Sequence, residues 1–169
     1  MKAIAYLAPG APDVLDLHDV PAPEPGPGDL LVDVRAVGLN PADPKIRAGL
    51  TLQGEGPQVL GFDAAGVVRA VGTGVEGFRP GDEVFYAGDV TRAGANAPLQ
   101  VVDAAIVGKK PDSLDFEEAA ALPLTSLTAW EVLFDRLEVP RDADERILVL
   151  GAAGGVGSVM LQALRAETA

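Results

Sequence analysis

Among the residues whose types and spacing suit chemistry, Gly151-Ala152-Ala153-Gly154-Gly155-Val156-Gly157 stands first. It follows four apolar residues, Ile147-Leu148-Val149-Leu150, and opens an apolar stretch through Val159, Met160, Leu161 and Leu164. With few side chains in the way, backbone amides at such a turn can close on a diphosphate, and the next helix can pack tightly on the preceding strand. These seven residues are therefore candidate binders of a phosphorylated coenzyme. The residue about 20 positions further on that would read a ribose 2′ position lies past Ala169, so NAD and NADP are not separated. A literal G-x-G-x-x-G also occurs, at Gly72-Thr73-Gly74-Val75-Glu76-Gly77, but Pro80 follows and denies it a helix. Without a helix N-terminus there is no fan of free amides to hold phosphate, so this segment reads as a loop between strands. The single histidine, His18, falls outside every motif and reads as a surface or structural residue.

The elements that must position these residues fall into two styles. Before Pro111, glycines and prolines cut the chain into short segments. Leu30, Val32, Val34 and Ala36 alternate with Asp33 and Arg35, the period of a half-buried strand. Similar strands are expected at 2–7, 14–20, 64–71, 82–86 and 98–103, which together suggest a small β-barrel. Prolines 21, 23, 25 and 27 make a stiff surface connection before the third strand. After Pro111 the pattern turns helical. Asp115 with Glu118 is a reciprocal capping pair, and Pro123 bends or restarts the helix. Leu127, Trp130, Phe134 and Leu137 recur at helical spacing and predict a buried stripe. The four apolar residues at 147–150 predict a strand buried on both faces, so strand, glycine turn and helix make the first half of a βαβ unit.

Composition narrows the partners. The 169 residues include 25 Asp and Glu against 13 Lys and Arg, a net charge of −12, with 48% hydrophobic residues. That balance fits a folded globular chain and argues against nucleic-acid or anionic-membrane surfaces. The adjacent Lys109 and Lys110 read as a solvated loop. Cysteine is absent, which removes disulfides, iron–sulfur clusters, thiolate zinc sites and thiol catalysis. It is compatible with a reducing cytosol, and a cytoplasmic location is the expectation. The first residues are too short an apolar run for a secretory signal and read as a strand. No window approaches the ~20 apolar residues of a membrane span.

Five segments then agree with one family. Asn40-Pro41-Ala42-Asp43-Pro44-Lys45-Ile46-Arg47, Gly61-Phe62-Asp63-Ala64-Ala65-Gly66-Val67-Val68 and Pro80-Gly81-Asp82-Glu83-Val84 resemble medium-chain dehydrogenases/reductases. So do Glu118-Ala119-Ala120-Ala121-Leu122-Pro123 with Leu127-Thr128-Ala129-Trp130-Glu131, and the glycine turn at 151–157. Within that superfamily the chain is most similar to zinc-type alcohol dehydrogenase-like proteins of the quinone oxidoreductase branch, to which the segment 86–92 also points. The resemblance implies an α/β chain: a GroES-like barrel over residues 1–122, then the first strand and helix of a Rossmann domain over 123–169. It implies reduction of a quinone or an activated double bond by NAD(P)H, with NADP the expected coenzyme and NAD not excluded.

The resemblance also assigns roles. Asn40 and Lys45 are the candidate catalytic residues: the Asn40 amide would orient cofactor or substrate, and Lys45 would donate a hydrogen bond or proton. Their plainer readings are a turn before Pro41 and a solvated helix residue. Thr128 resembles the threonine that approaches the nicotinamide, with capping or packing as its alternative. Zinc-bearing members place Cys at position 40 and His at 62, where this chain has Asn40 and Phe62. Asp63 sits at the acidic position beside that His, Leu124 falls near a further Cys ligand position, and Ala42 and Lys45 fall near the proton relay. No zinc is therefore expected. The family continues through the rest of the nucleotide-binding sheet, so the expectation is a truncated relative whose activity needs the absent portion. The alternative is a non-catalytic remnant, a binding or self-associating module. Oligomeric state is not assigned.

Overall fold

A computed structural model describes residues 1–50, 56–141 and 146–168. The chain divides into two compact units, residues 1–121 and 122–169.

The first unit is built on strands β1 (Lys2–Tyr6), β2 (Asp16–Asp19), β3 (Asp29–Gly38), β4 (Gln58–Val59), β5 (Asp63–Val71), β6 (Glu83–Ala87), β7 (Leu99–Asp103) and β8 (Val107–Lys109). They form a three-stranded sheet, β2-β1-β4, and a five-stranded sheet, β7-β3-β5-β6-β8, with every pairing antiparallel. Each sheet ends in strands of two to five residues, so neither closes on itself. The expected barrel is two open sheets among the described residues. Two further elements escaped the hydrophobic pattern, β4 and β8, because two or three residues carry no period. The stretch expected as one strand at 14–20 is a 3₁₀ turn, Pro12–Val14, followed by the short β2.

β5 is the centre of this unit. Asp63, Ala64, Ala65 and Gly66 are all buried, so the strand is covered on both faces. On one face Ala64 and Val68 join Leu30, Val32, Val84, Tyr86 and Val102 in the main core. On the other, Ala65 meets Ala119 and Ala120 of helix α2 (Phe116–Ala120); α1 (Ala42–Lys45) precedes it in the chain. Methyl groups at 65, 119 and 120 let helix and strand approach closely. The expected capping pair is present: Asp115 accepts the Glu118 N–H at 2.7 Å, and Glu118 accepts the Asp115 N–H at 3.0 Å. The loop at 72–77 joins β5 to β6 without a helix.

Lys110 departs from its expected solvation. Its side chain is 5% exposed, its Nζ lies 3.0 Å from a Glu83 carboxylate oxygen, and it donates to the carbonyls of Pro111 and Leu114. Its ammonium also stands 5.4 Å from the Phe116 ring centre. The part-buried Leu114 carbonyl and the Glu83 carboxylate partner the group as it leaves water.

The second unit starts at α3 (Pro123–Trp130), with Pro123 in its first turn, and continues as a π-helical stretch through Glu131–Arg136. The stripe predicted as buried is mostly exposed: Leu127, Trp130 and Leu137 face solvent, while Ala129 and Leu133 are buried. Spacing alone defines a face without saying which face is covered. Trp130 and Phe134 instead pack as tilted rings with centroids 4.7 Å apart, and the Arg141 guanidinium lies 5.0 Å from the Trp130 ring. Arg141 also pairs with Glu167 in α4 (Gly155–Glu167). The strand expected at 147–150 does not form. Leu148 is 82% exposed and Leu150 83%, because a strand needs a neighbour and none of the described residues provides one.

Candidate functional site

The candidate residues lie in two places, one in each unit. In the first unit, β3 ends at Gly38 and the chain turns through Leu39 and Asn40 into α1. The turn is held by Asp43, 7% exposed, whose carboxylate accepts the Asn40 N–H at 2.8 Å and the Gly61 N–H at 3.1 Å. The Asp43 N–H in turn donates to the Asn40 carbonyl at 3.0 Å. The Asn40 side-chain nitrogen is buried and has no hydrogen-bond partner. A buried amide donor without an acceptor costs about 1–3 kcal/mol, so this group is a place where a ligand oxygen would be welcome. Lys45 closes α1 and is exposed, with no ion pair among the described residues.

Gly61 and Phe62 lead into β5. Phe62 is buried with Tyr6, Ile46 and Leu60, and Ala42 packs against this cluster. Its carbonyl accepts the Gly88 N–H at 2.7 Å. The position next to Phe62 is Asp63, buried at the start of β5. Among the described residues no group of three His, Cys, Asp or Glu side chains is placed to hold a metal ion. Asn40 and Phe62 bring one weak oxygen ligand and none, a poor set for zinc.

In the second unit the glycine turn is built as its composition suggests. Gly151 has φ +71°, the left-handed region where only glycine is at ease. Its carbonyl accepts the Gly154 N–H at 2.9 Å, and Ser158 N–H donates to the Gly154 carbonyl at 2.9 Å, starting α4. A Cβ on Gly157 would come within 2.5 Å of the Gly151 carbonyl oxygen, so the helix start needs glycine there to lie this close to the turn. Gly154 offers no side-chain cap, which leaves the amides of Gly155, Val156 and Gly157 available to an anion at the positive end of a 13-residue helix. Ala152, Ala153, Gly154 and Gly155 are exposed or half-buried, so the cradle is open. Its residues fit a diphosphate. Thr128 donates its hydroxyl to the Leu124 carbonyl one turn back at 2.8 Å, which leaves its lone pairs free to accept.

A separate cavity of about 480 Å³ in the first unit is lined by Val20, Pro21, Asp29, Arg92, Leu99 and Gln100, and contains none of these candidates. Sequence reasoning gave Asp43 no role. Its signal was present in the acidic residue three positions after Asn40, the spacing at which a side chain reaches back to a turn N–H.

Comparison with known proteins places these features. The model of the alcohol dehydrogenase GroES-like domain matches residues 26–112. A zinc-type alcohol dehydrogenase-like protein of Staphylococcus aureus is 42% identical over 96% of this chain and 50% of its own length. A 2-methylene-furan-3-one reductase of Solanum lycopersicum is 40% identical over 96% of this chain and 43% of its own. The crystal structure of Escherichia coli quinone oxidoreductase complexed with NADPH superimposes with a TM-score of 0.82 at 33% identity, covering 99% of this chain and 50% of that one. The chain thus spans about half the length of the relatives it matches.

Proposed function

The chain belongs to the alcohol dehydrogenase GroES-like domain family of the medium-chain dehydrogenases/reductases, and from that premise we propose that it carries the acceptor-binding and coenzyme-phosphate-binding parts of an NAD(P)H-dependent quinone or enone reductase that works without zinc. When bound, the nicotinamide supplies a hydride. The chain's own residues do the rest: the Asn40 amide donates to the acceptor's carbonyl oxygen, Lys45 delivers a proton to that oxygen, and the amides of 155–157 hold the coenzyme diphosphate. Thr128 orients the nicotinamide. NADP is the coenzyme assigned, with NAD as the competitor, and the reaction belongs in the cytoplasm.

The single observation that carries this reading is the buried, unpartnered Asn40 Nδ2. The relatives named for reduction of an enone and of a quinone support the acceptor class. The test is titration of the chain with NADPH and with NADH, followed by Trp130 fluorescence. Micromolar binding of NADPH, abolished by Gly154→Asp, supports the reading. Absence of binding by this chain and by a form extended to the relatives' full length overturns it.

A second reading is favoured by the exposure of Leu127, Trp130, Leu137, Leu148 and Leu150 in one unit: a binding module that self-associates without turnover. Concentration-dependent mass by light scattering, with no NADPH binding, would favour it.

A further inference from the structure

The Asn40 side chain makes no hydrogen bond through its nitrogen, so no acceptor fixes the direction of that amide nitrogen. What fixes it is the backbone beneath. Asp43 supplies both ends of that fixture, one carboxylate oxygen taking the Asn40 N–H and the other the Gly61 N–H. Gly61 lies 18 residues away in sequence from Asp43, in a segment tied again by Ala95 N–H to the Gly61 carbonyl at 2.6 Å and Asn96 N–H to the Leu60 carbonyl at 2.8 Å. Gly61 itself sits at φ +92°. One buried carboxylate thus joins the turn bearing Asn40 to the segment bearing Phe62.

We propose that Asp43 is a positioning residue for acceptor binding, acting through Asn40 and the Gly61 backbone without touching the substrate. This rests on the reading of Asn40 as the donor to the acceptor's carbonyl. The task needs a carboxylate. Here the two backbone N–H groups are taken by different oxygens, and an amide offers one acceptor oxygen and one donor, so Asp43→Asn sets an NH₂ against an N–H. The turn then relaxes and the Asn40 amide loses its fixed direction.

A double-mutant cycle separates positioning from bulk stability. Binding of duroquinone is measured for the wild-type chain, Asn40→Ala, Asp43→Asn and the double variant. In parallel, the side-chain amide resonances of Asn40 are followed by NMR in unliganded wild type and Asp43→Asn. The expected result is a roughly tenfold loss of affinity for either single variant, the size of one lost hydrogen bond, with no further loss in the double variant. The Asn40 side-chain resonances shift or narrow in Asp43→Asn. Additive losses, or unchanged Asn40 resonances, overturn the proposal. If wild type binds no duroquinone, the functional reading fails, and the Asn40 resonances alone decide the positioning claim. Asp43→Glu, which keeps two acceptor oxygens but moves them by one methylene, replaces Asp43→Asn if that variant does not fold.

Discussion

Arg92 grips Asp29 with two parallel hydrogen bonds, Nη1 to Oδ1 and Nη2 to Oδ2, each 2.9 Å long. The pair ties the loop after β6 to the first residue of β3, 63 positions away, and Asp29 also accepts the N–H of Gly26, near the end of the proline-rich connection. A planar guanidinium on a planar carboxylate is the geometry in which such a pair contributes most.

The Arg92 hydrogen bonds hold the Asp29 carboxyl below its usual range. A depressed folded-state value means that the stabilisation is full above the unfolded value and is lost as pH falls through the folded one. Asp29→Asn is therefore expected to lower the melting temperature by a few degrees near neutrality, with the gap to wild type closing below about pH 4. Thermal melts at a series of pH values check this; a gap constant to pH 2 contradicts it.

Lys110→Met keeps the apolar stem and removes the ammonium. The part-buried Leu114 carbonyl then loses its donor, whereas the exposed Pro111 carbonyl can turn to water. Urea unfolding should show a loss of about 1–3 kcal/mol. The same change at the exposed Lys109 should lie within about 0.5 kcal/mol of wild type.

The Tyr6 hydroxyl is buried, 1% exposed as a residue, and has no hydrogen-bond partner. Tyr6→Phe should therefore stabilise the chain by about 1 kcal/mol, since it deletes a desolvated polar group. Burial also raises the Tyr6 phenol above its ordinary value of 10.0. The neutral form is the folded one, so wild-type stability declines as pH rises past about 10. The variant should decline less, as alkaline denaturation curves would record.

Gly157→Ala drives a Cβ to 2.5 Å from the Gly151 carbonyl oxygen, whereas Gly155→Ala meets only Thr125 at an ordinary 3.6 Å. The first should cost about 1–3 kcal/mol, as overpacking does. The second should change stability by less than about 1 kcal/mol. Hydrogen exchange of the α4 amides reads both; equal protection in the two variants would refute the packing argument.

What was legible in the sequence was local. Asp115 and Glu118 found each other because three residues separate them, Pro123 restarted a helix because it lacks an N–H, and the glycine turn at 151–157 formed because its constraints are steric and near at hand. What failed depended on partners elsewhere in the chain. The apolar run at 147–150 has the composition of a strand without a neighbour to pair with, and the spacing of Leu127 and Trp130 marks a face but cannot say that Ala129 and Leu133 would take the core instead. Lys110 turned inward because of carbonyls whose orientation no pattern records. In the candidate site, Asn40 was visible only through family resemblance; Asp43 stood at the three-residue spacing of a turn cap, but its second bond, to Gly61, joins segments that no local pattern connects.

Within the run Ile147-Leu148-Val149-Leu150, two leucines, 148 and 150, stand almost wholly in water. Such a segment, β-prone and without charge, invites the same segment of another molecule to lie alongside it. Handling at high concentration should therefore be limited by clumping that begins here, and a lysine in place of Leu148 should raise the concentration at which clear solutions turn cloudy.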